Sequence, residues 1–235
     1  MPSSSMTLPF PWALPPQVPP AIRAWRVPLQ LEAPIPADDW AVLCPAEADR
    51  AARLRQPADR VRSACTRATL RRVLGERMGL APQDVPLAAG THGRPALVEW
   101  EGLDFNVSHS GEYALIAMVD GPWAVGVDVE RCDAFADPVV LESLVLSPRE
   151  RAALPAARLD FPTVWTVKEA VLKCLGLGVA EHLPHVCVER REAGGVGVVL
   201  EGPLRDPAVQ ACVLAAPPGY AAALAWAAAG AGMPR

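Results

Sequence analysis

The sequence predicts an α+β fold made of two similar halves. Helical stretches with an apolar stripe alternate with short apolar runs bounded by Gly or polar turns. The order of these elements repeats. One half reads "TRATLRRVLGERMGL", "VPLAAGTHGRPALV", "LDFNVSHSG" and "EYALIAMV"; the other reads "TVKEAVLKCLGLGV", "HVCVERREAGGVGVVL", "VQACVLAAPPG" and "YAAALAWAA". Within them, "GEYALIAMV" is echoed by "GYAAALAWA". Such a duplication gives a pseudo-twofold molecule with a cleft between its halves, the natural place for a site. The chain divides into a Pro-rich leader (1–20), an N-terminal α+β half (21–122) and a C-terminal α+β half (123–235) carrying the candidate metal residues.

The leader, "MPSSSMTLPFPWALPPQVPP", lacks a basic start, and prolines break its apolar run. It reads as a flexible or extended segment, not a signal peptide. A strand is expected over residues 24–31, then helix over 44–79 interrupted near Pro57. Leu70, Val73, Leu74 and Met78 form its apolar stripe. "HGRPALV", "LDFNVSHS", "YALIAMV" and "WAVGVDVE" read as strands. "SPRERAAL" opens a helix with Ser147 as N-cap and Glu150 three residues on, a capping box. A long helix follows over "FPTVWTVKEAVLKCLGLGV", then four strands, "HVCVERRE", "GVGVVLEG", "VQACVLAA" and "YAAALAWAA".

Composition excludes several classes. A net charge of -4 over 235 residues argues against nucleic acid as the main partner. No apolar run approaches a membrane span. The six cysteines, Cys44, Cys65, Cys132, Cys174, Cys187 and Cys212, show no ligand spacing and read as reduced thiols of a cytosolic protein.

Chemistry concentrates in two places. In "WAVGVDVE", alternation puts Val125, Val127 and Val129 on one face and Gly126, Asp128 and Glu130 on the other. Asp128 and Glu130 are then about 6.5–7 Å apart at the backbone and point the same way, into the cleft. Two such carboxylates repel unless a cation sits between them, and a hard divalent ion is the natural filler, although taken alone an acidic pair at a strand end is more often simply solvated. On the long helix, Val164, Val167, Val171, Leu172 and Leu175 share one arc, and Lys168 falls within it. A lysine there must snorkel or meet an anion. Glu169 and Lys173 stand one turn apart beside that arc. Lys168 and Lys173 are the only lysines among 22 Lys and Arg. An ammonium on a flexible stem suits a phosphate oxygen, where the fork of Arg does not substitute.

"FNVSHS", "GVDVE" and "WTVKEAVLKCLG", in that order, resemble the 4′-phosphopantetheinyl transferases of the surfactin-activating type. "DRVRSACTRATLRRVL" and the "HGRP" turn also fit that pattern. The resemblance implies a pseudo-dimeric α+β fold. It implies Mg²⁺-dependent transfer of 4′-phosphopantetheine from coenzyme A to a serine of an apo acyl or peptidyl carrier protein, releasing adenosine 3′,5′-bisphosphate. By motif, Asp128, Glu130 and Glu169 would hold Mg²⁺. Lys173, and Lys168 as a second candidate, would meet the phosphates. Ser108 and His109 would touch the nucleotide, with His109 near the 3′-phosphate. Arg62, Arg94 and Pro95 would line the coenzyme A site, with Arg50 a weaker match. Glu169 is the first candidate for the base, directly or through a water. A monomeric cytoplasmic enzyme is expected. Leu177 stands where the family often has lysine in Gly-x-Gly, so that contact is absent. A phosphoesterase using the same acidic trio, or a non-catalytic carrier-protein or nucleotide-binding module, are the competing readings.

Overall fold

The computed structural model describes residues 9, 11–90, 94–135, 138–153, 159–191, 195–204 and 208–229. Two three-stranded antiparallel sheets dominate it. The first comprises β1 (Ile22–Pro28), β4 (Leu103–Ser110) and β5 (Tyr113–Asp120), in the order β1-β5-β4. The second comprises β6 (Trp123–Arg131), β9 (Val209–Val213) and β10 (Tyr220–Ala228), in the order β6-β10-β9. Each half places a long helix and a hairpin between its first strand and its last two. These are α3 (Pro57–Met78) with β2 (Leu87–Ala89) and β3 (Pro95–Leu97), and α6 (Phe161–Leu175) with β7 (Val186–Arg190) and β8 (Val196–Leu200). The repeated element order read from sequence is therefore repeated sheet topology.

Alternation along the central strands builds a four-layer stack. Leu115, Ala117 and Val119 of β5 meet Val125, Val127 and Val129 of β6 and Ala222, Leu224 and Trp226 of β10 between the sheets. Ala114, Ile116 and Met118 face outward onto Leu70, Val73 and Leu74 of α3. Ala223, Ala225 and Ala227 face outward onto Val167, Val171 and Leu172 of α6. "YAAALAWAA" thus carries bulk toward the other sheet and small residues toward the helix.

Strands β4 and β6 are the facing edges of the two sheets, and they are not joined backbone to backbone. Polar side chains at alternate β4 positions take their place. Asp104, Asn106, Ser108 and Ser110 accept from the amides of Val125, Val127, Val129 and Arg131 at 2.8, 3.0, 3.4 and 3.2 Å. Both numbers rise together, so the strands run parallel, and each exposed edge donor finds an acceptor.

The long early helix breaks where Pro57 predicts, into α2 (Pro45–Arg53) and α3, and Gly79 ends α3 in the left-handed region at φ 69°. Three short helices, α1 (Ala37–Ala41), α4 (Pro138–Val145) and α7 (Val179–His182), have no counterpart in the sequence reading. The expected capping box is present in α5 (Pro148–Ala152): Ser147 Oγ accepts from the Glu150 amide.

The leader is more anchored than its composition suggests, although residues 1–8 and 10 lie outside the described residues. The Trp12 amide donates to the Ala24 carbonyl at 2.7 Å, along the outer edge of β1. Val18 is buried, and Trp12 and Leu14 pack against the inter-sheet core. Proline blocks regular helix and sheet, but an edge strand needs only intermittent partners and aromatic cover.

Candidate active site

Asp128 reaches the site because of its neighbour two residues earlier. A Cβ built on Gly126 would lie 2.0 Å from the Ala170 carbonyl oxygen and 2.4 Å from the Cys174 amide. Glycine therefore lets α6 lie directly on β6, on the Gly126–Asp128–Glu130 face. Asp160 caps α6 by accepting from the Thr163 amide at 3.0 Å, and Gly176 ends it in the left-handed region. The helix then lays Glu169 and Lys173 against Asp128. Gly126→Ala should shift α6, lower the urea midpoint, and reduce activity more than stability alone explains. Overpacking costs about 1–3 kcal/mol, and backbone neighbours cannot turn aside as side chains do. A Gly126→Ala protein with the stability and rate of the parent would show that close approach is not required.

Asp128, Glu130 and Glu169 each place a carboxylate oxygen within 4.8 Å of the others'. Lys173 Nζ lies 2.6 Å from Asp128 Oδ1 and 3.1 Å from Glu169 Oε2. Ser108 Oγ donates to the same Asp128 Oδ1 at 2.7 Å. Asp128 is fully buried, yet among the described residues its Oδ2 has no hydrogen-bond partner. Sequence placed Asp128 on an open cleft wall; instead α6 and Ser108 cover it.

The electrostatics match an excess of negative charge. Burial, and then the charge of Asp128, push Glu130 up to about 7. Burial and Asp128 also raise Glu169, against the pull of Lys173. Burial alone would lower Lys173, but Asp128 and Glu169 outweigh it and hold the ammonium above its usual range. One lysine does not balance three carboxylates, and a buried carboxylate oxygen without a donor is costly. A divalent cation bound by hard oxygen ligands fits both features.

Beside this trio lies a cleft of about 870 Å³, lined by residues of both halves. Arg50, Arg94, Pro95, His109, Glu130 and Lys173 are on its wall, as is Leu177. Arg94 is largely engaged by the protein itself: it donates to the Lys173 carbonyl at 2.7 Å, to Asp104 at 2.9 Å and to the Phe105 carbonyl at 2.6 Å. Residues 91–93, including Gly93 of the "HGRP" turn, lie outside the described residues. Arg62 does not line the cleft; it donates to the Gly111 carbonyl at 2.8 Å and to Asp59 at 2.6 Å. His109 is exposed toward the cleft, and its pKa is lowered by desolvation and then by the charges of Lys173 and Arg62. That field favours an anion at His109.

Lys168 departs from the sequence reading. Its side chain is fully buried on the far side of α6, where Nζ meets Glu150 at 2.6 Å and the carbonyls of Val145 and Leu183 at 2.8 and 3.0 Å. It did meet an anion, but the anion is Glu150 of the capping box and not a phosphate. Arg67, which the sequence reading did not single out, lines the cleft 3.6 Å from Glu47.

The acidic trio and Lys173 lie within the segment that a known family matches. A family profile described as the 4′-phosphopantetheinyl transferase superfamily matches residues 124–225, and one described as 4′-phosphopantetheinyl transferase, N-terminal, matches residues 37–120. The chain is 34% identical over 168 residues to 4′-phosphopantetheinyl transferase HetI of Nostoc sp., spanning 68% of this chain and 70% of HetI. It is 27% identical over 138 residues to 4′-phosphopantetheinyl transferase Sfp of Bacillus subtilis, spanning 56% of this chain and 59% of Sfp. A solved structure titled "Chronobacterium ammoniagenes ACPS-CoA complex" overlaps 44% of this chain and 95% of its own at 22% identity, with a TM-score of 0.36. On the two profiles and the HetI match, the chain belongs to the 4′-phosphopantetheinyl transferase superfamily.

Proposed function

We propose that this protein transfers 4′-phosphopantetheine from coenzyme A to a serine hydroxyl of an apo acyl or peptidyl carrier protein, with Mg²⁺ held by Asp128, Glu130 and Glu169. The observation that carries the reading is Asp128 Oδ2, buried and without a donor among the described residues, beside two carboxylates with raised pKa values. When bound, the ion would neutralise charge on the pyrophosphate. The duplicated topology supports a pseudo-dimer divided near residue 122, with coenzyme A in the cleft between the halves. Among the described residues no helix is long and apolar enough to cross a membrane, and all six cysteines are free. We read the protein as a cytosolic monomer.

The serine oxygen forms a bond to the β-phosphorus as the bond to the leaving adenosine 3′,5′-bisphosphate breaks. Positioning and charge neutralisation supply most of the rate in such transfers. Lys173 stands where it can follow the charge onto the leaving phosphate. Glu169, with its raised pKa, takes the serine proton directly or through one water. Intact-mass analysis of apo carrier proteins incubated with this protein, coenzyme A and Mg²⁺ tests the reading. A carrier gaining the phosphopantetheine mass supports it. Nucleotide release with an unmodified carrier would point to hydrolysis, and no change in either to a binding module.

His109 belongs to the nucleotide end in this reading. Charge-assisted bonds to the 3′-phosphate act on binding and little on chemistry at the pyrophosphate. Each is worth about 1.5–3 kcal/mol. His109→Ala should raise the KM for coenzyme A by roughly ten- to a hundredfold with kcat mostly kept. With dephospho-coenzyme A the substitution should add little, since the partner is already gone. Additive penalties in that cycle would place His109 elsewhere.

A further inference from the structure

The two oxygens of Asp128 are not equivalent. Oδ1 accepts from Lys173 at 2.6 Å and from Ser108 Oγ at 2.7 Å, whereas Oδ2 accepts from no group among the described residues. The hydrogen-bonding of Ser108 is fully determined. A serine hydroxyl offers one proton and two lone pairs. The Val129 amide at 3.4 Å and the Lys173 ammonium at 3.3 Å can only donate to it. The single hydroxyl proton therefore goes to Asp128 Oδ1. Ser108 is also buried, with 7% of its surface exposed. The motif resemblance implies a nucleotide contact for this serine, but its one donor is already directed into the acidic trio.

We propose that Ser108 is a positioning residue. It pins Oδ1 of Asp128 to the β4–β6 seam so that Oδ2 is presented to the cation. Without it Asp128 could turn about its side-chain bonds, and Lys173 could bridge both oxygens and compete for the one the metal needs. This rests on the cation site proposed above, and it extends that reading to how the strand seam orients one ligand. Partners one shell out from a metal typically change its affinity by about 10–100-fold when removed.

The test is titration of Mn²⁺ alone, followed by the free-ion paramagnetic resonance signal, against the whole protein without coenzyme A. Ser108→Ala should bind Mn²⁺ about tenfold more weakly or worse. Ser108→Thr, which keeps the hydroxyl, should restore most of the loss. Asn106→Ala removes the equivalent seam bond to the Val127 amide at 3.0 Å and touches none of the three carboxylates. It should lower Tm as Ser108→Ala does while leaving Mn²⁺ affinity unchanged. Should Ser108→Ala fail to fold, Ser108→Cys, whose thiol is a weak donor, should show the same loss of affinity. Mn²⁺ affinity unchanged in the Ser108 variant, or equally weakened in Asn106→Ala, would overturn the assignment. Asp128→Asn separates the two levels. If Asp128→Asn loses Mn²⁺ while Ser108→Ala keeps it, only the role of Ser108 falls. If the parent binds no Mn²⁺, or Asp128→Asn binds it as the parent does, the cation site falls and the role of Ser108 with it.

Discussion

Glu169→Gln should lower kcat for transfer to the carrier protein by more than about 10³-fold, with the fold retained. General-base removal alone costs about 10²–10⁴-fold. Glutamine keeps the size of the side chain on α6 but loses the charge that pairs with Lys173 at 3.1 Å and contributes to the acidic trio. Two functions fail together: the carboxylate that would take the serine proton and one that would hold the cation. Excess Mg²⁺ separates them. If high Mg²⁺ restores part of the rate, the restored part belongs to metal binding and the remainder to the base. A loss below tenfold at every Mg²⁺ concentration would exclude both roles. The same measurement on Lys173→Met should show a large loss in kcat that Mg²⁺ does not restore, because no ion replaces a donor carried on the helix itself.

Most of this architecture was legible because local rules and tertiary packing agree here. Alternation in "WAVGVDVE" assigns Val125, Val127 and Val129 to the core, and they are fully buried between the sheets. The Ser147–Glu150 capping box and the stop at Gly79 are local signals read without knowledge of the fold. What the sequence reading did not reach depends on neighbours distant in the chain. Gly126 reads as an ordinary strand residue until Ala170 and Cys174 of α6, more than forty positions later, lie against it. Polar residues at every second position of "LDFNVSHS" suggest a solvated face; the seam shows them accepting from the next sheet's edge. That alternating run was the available signal, and it needed a reason for polar side chains in a buried strand. The anchoring of the leader is not legible in its sequence, because proline-rich composition speaks against regular structure and says little about edge packing.

Lys168→Met is expected to destabilise the protein by about 3–5 kcal/mol, the typical cost of breaking a buried ion pair from one side. Lys168 is fully buried, and its ammonium is held at 2.6 Å by Glu150 and by two backbone carbonyls. Burial lowers its pKa, while the charge of Glu150 pulls it back. Removing the ammonium leaves Glu150 charged in a site it cannot leave, because the Ser147 and Val188 amides hold it at 2.6 and 2.9 Å. The urea midpoint should fall with little change in slope. The double variant Lys168→Met with Glu150→Gln should recover part of the loss, since no charge is then left unpaired. Where the single variant is still folded, its KM for coenzyme A should match that of the parent, because Lys168 faces Glu150 and the α7 side of the half while Lys173 faces the cleft. A variant as stable as the parent but with a raised KM would return Lys168 to the phosphates, as the motif alone suggests. The sequence places these two lysines five residues apart with the same apparent purpose. Folding gives them different ones: Lys168 closes a buried pair behind the helix, and Lys173 faces the acidic trio in front of it.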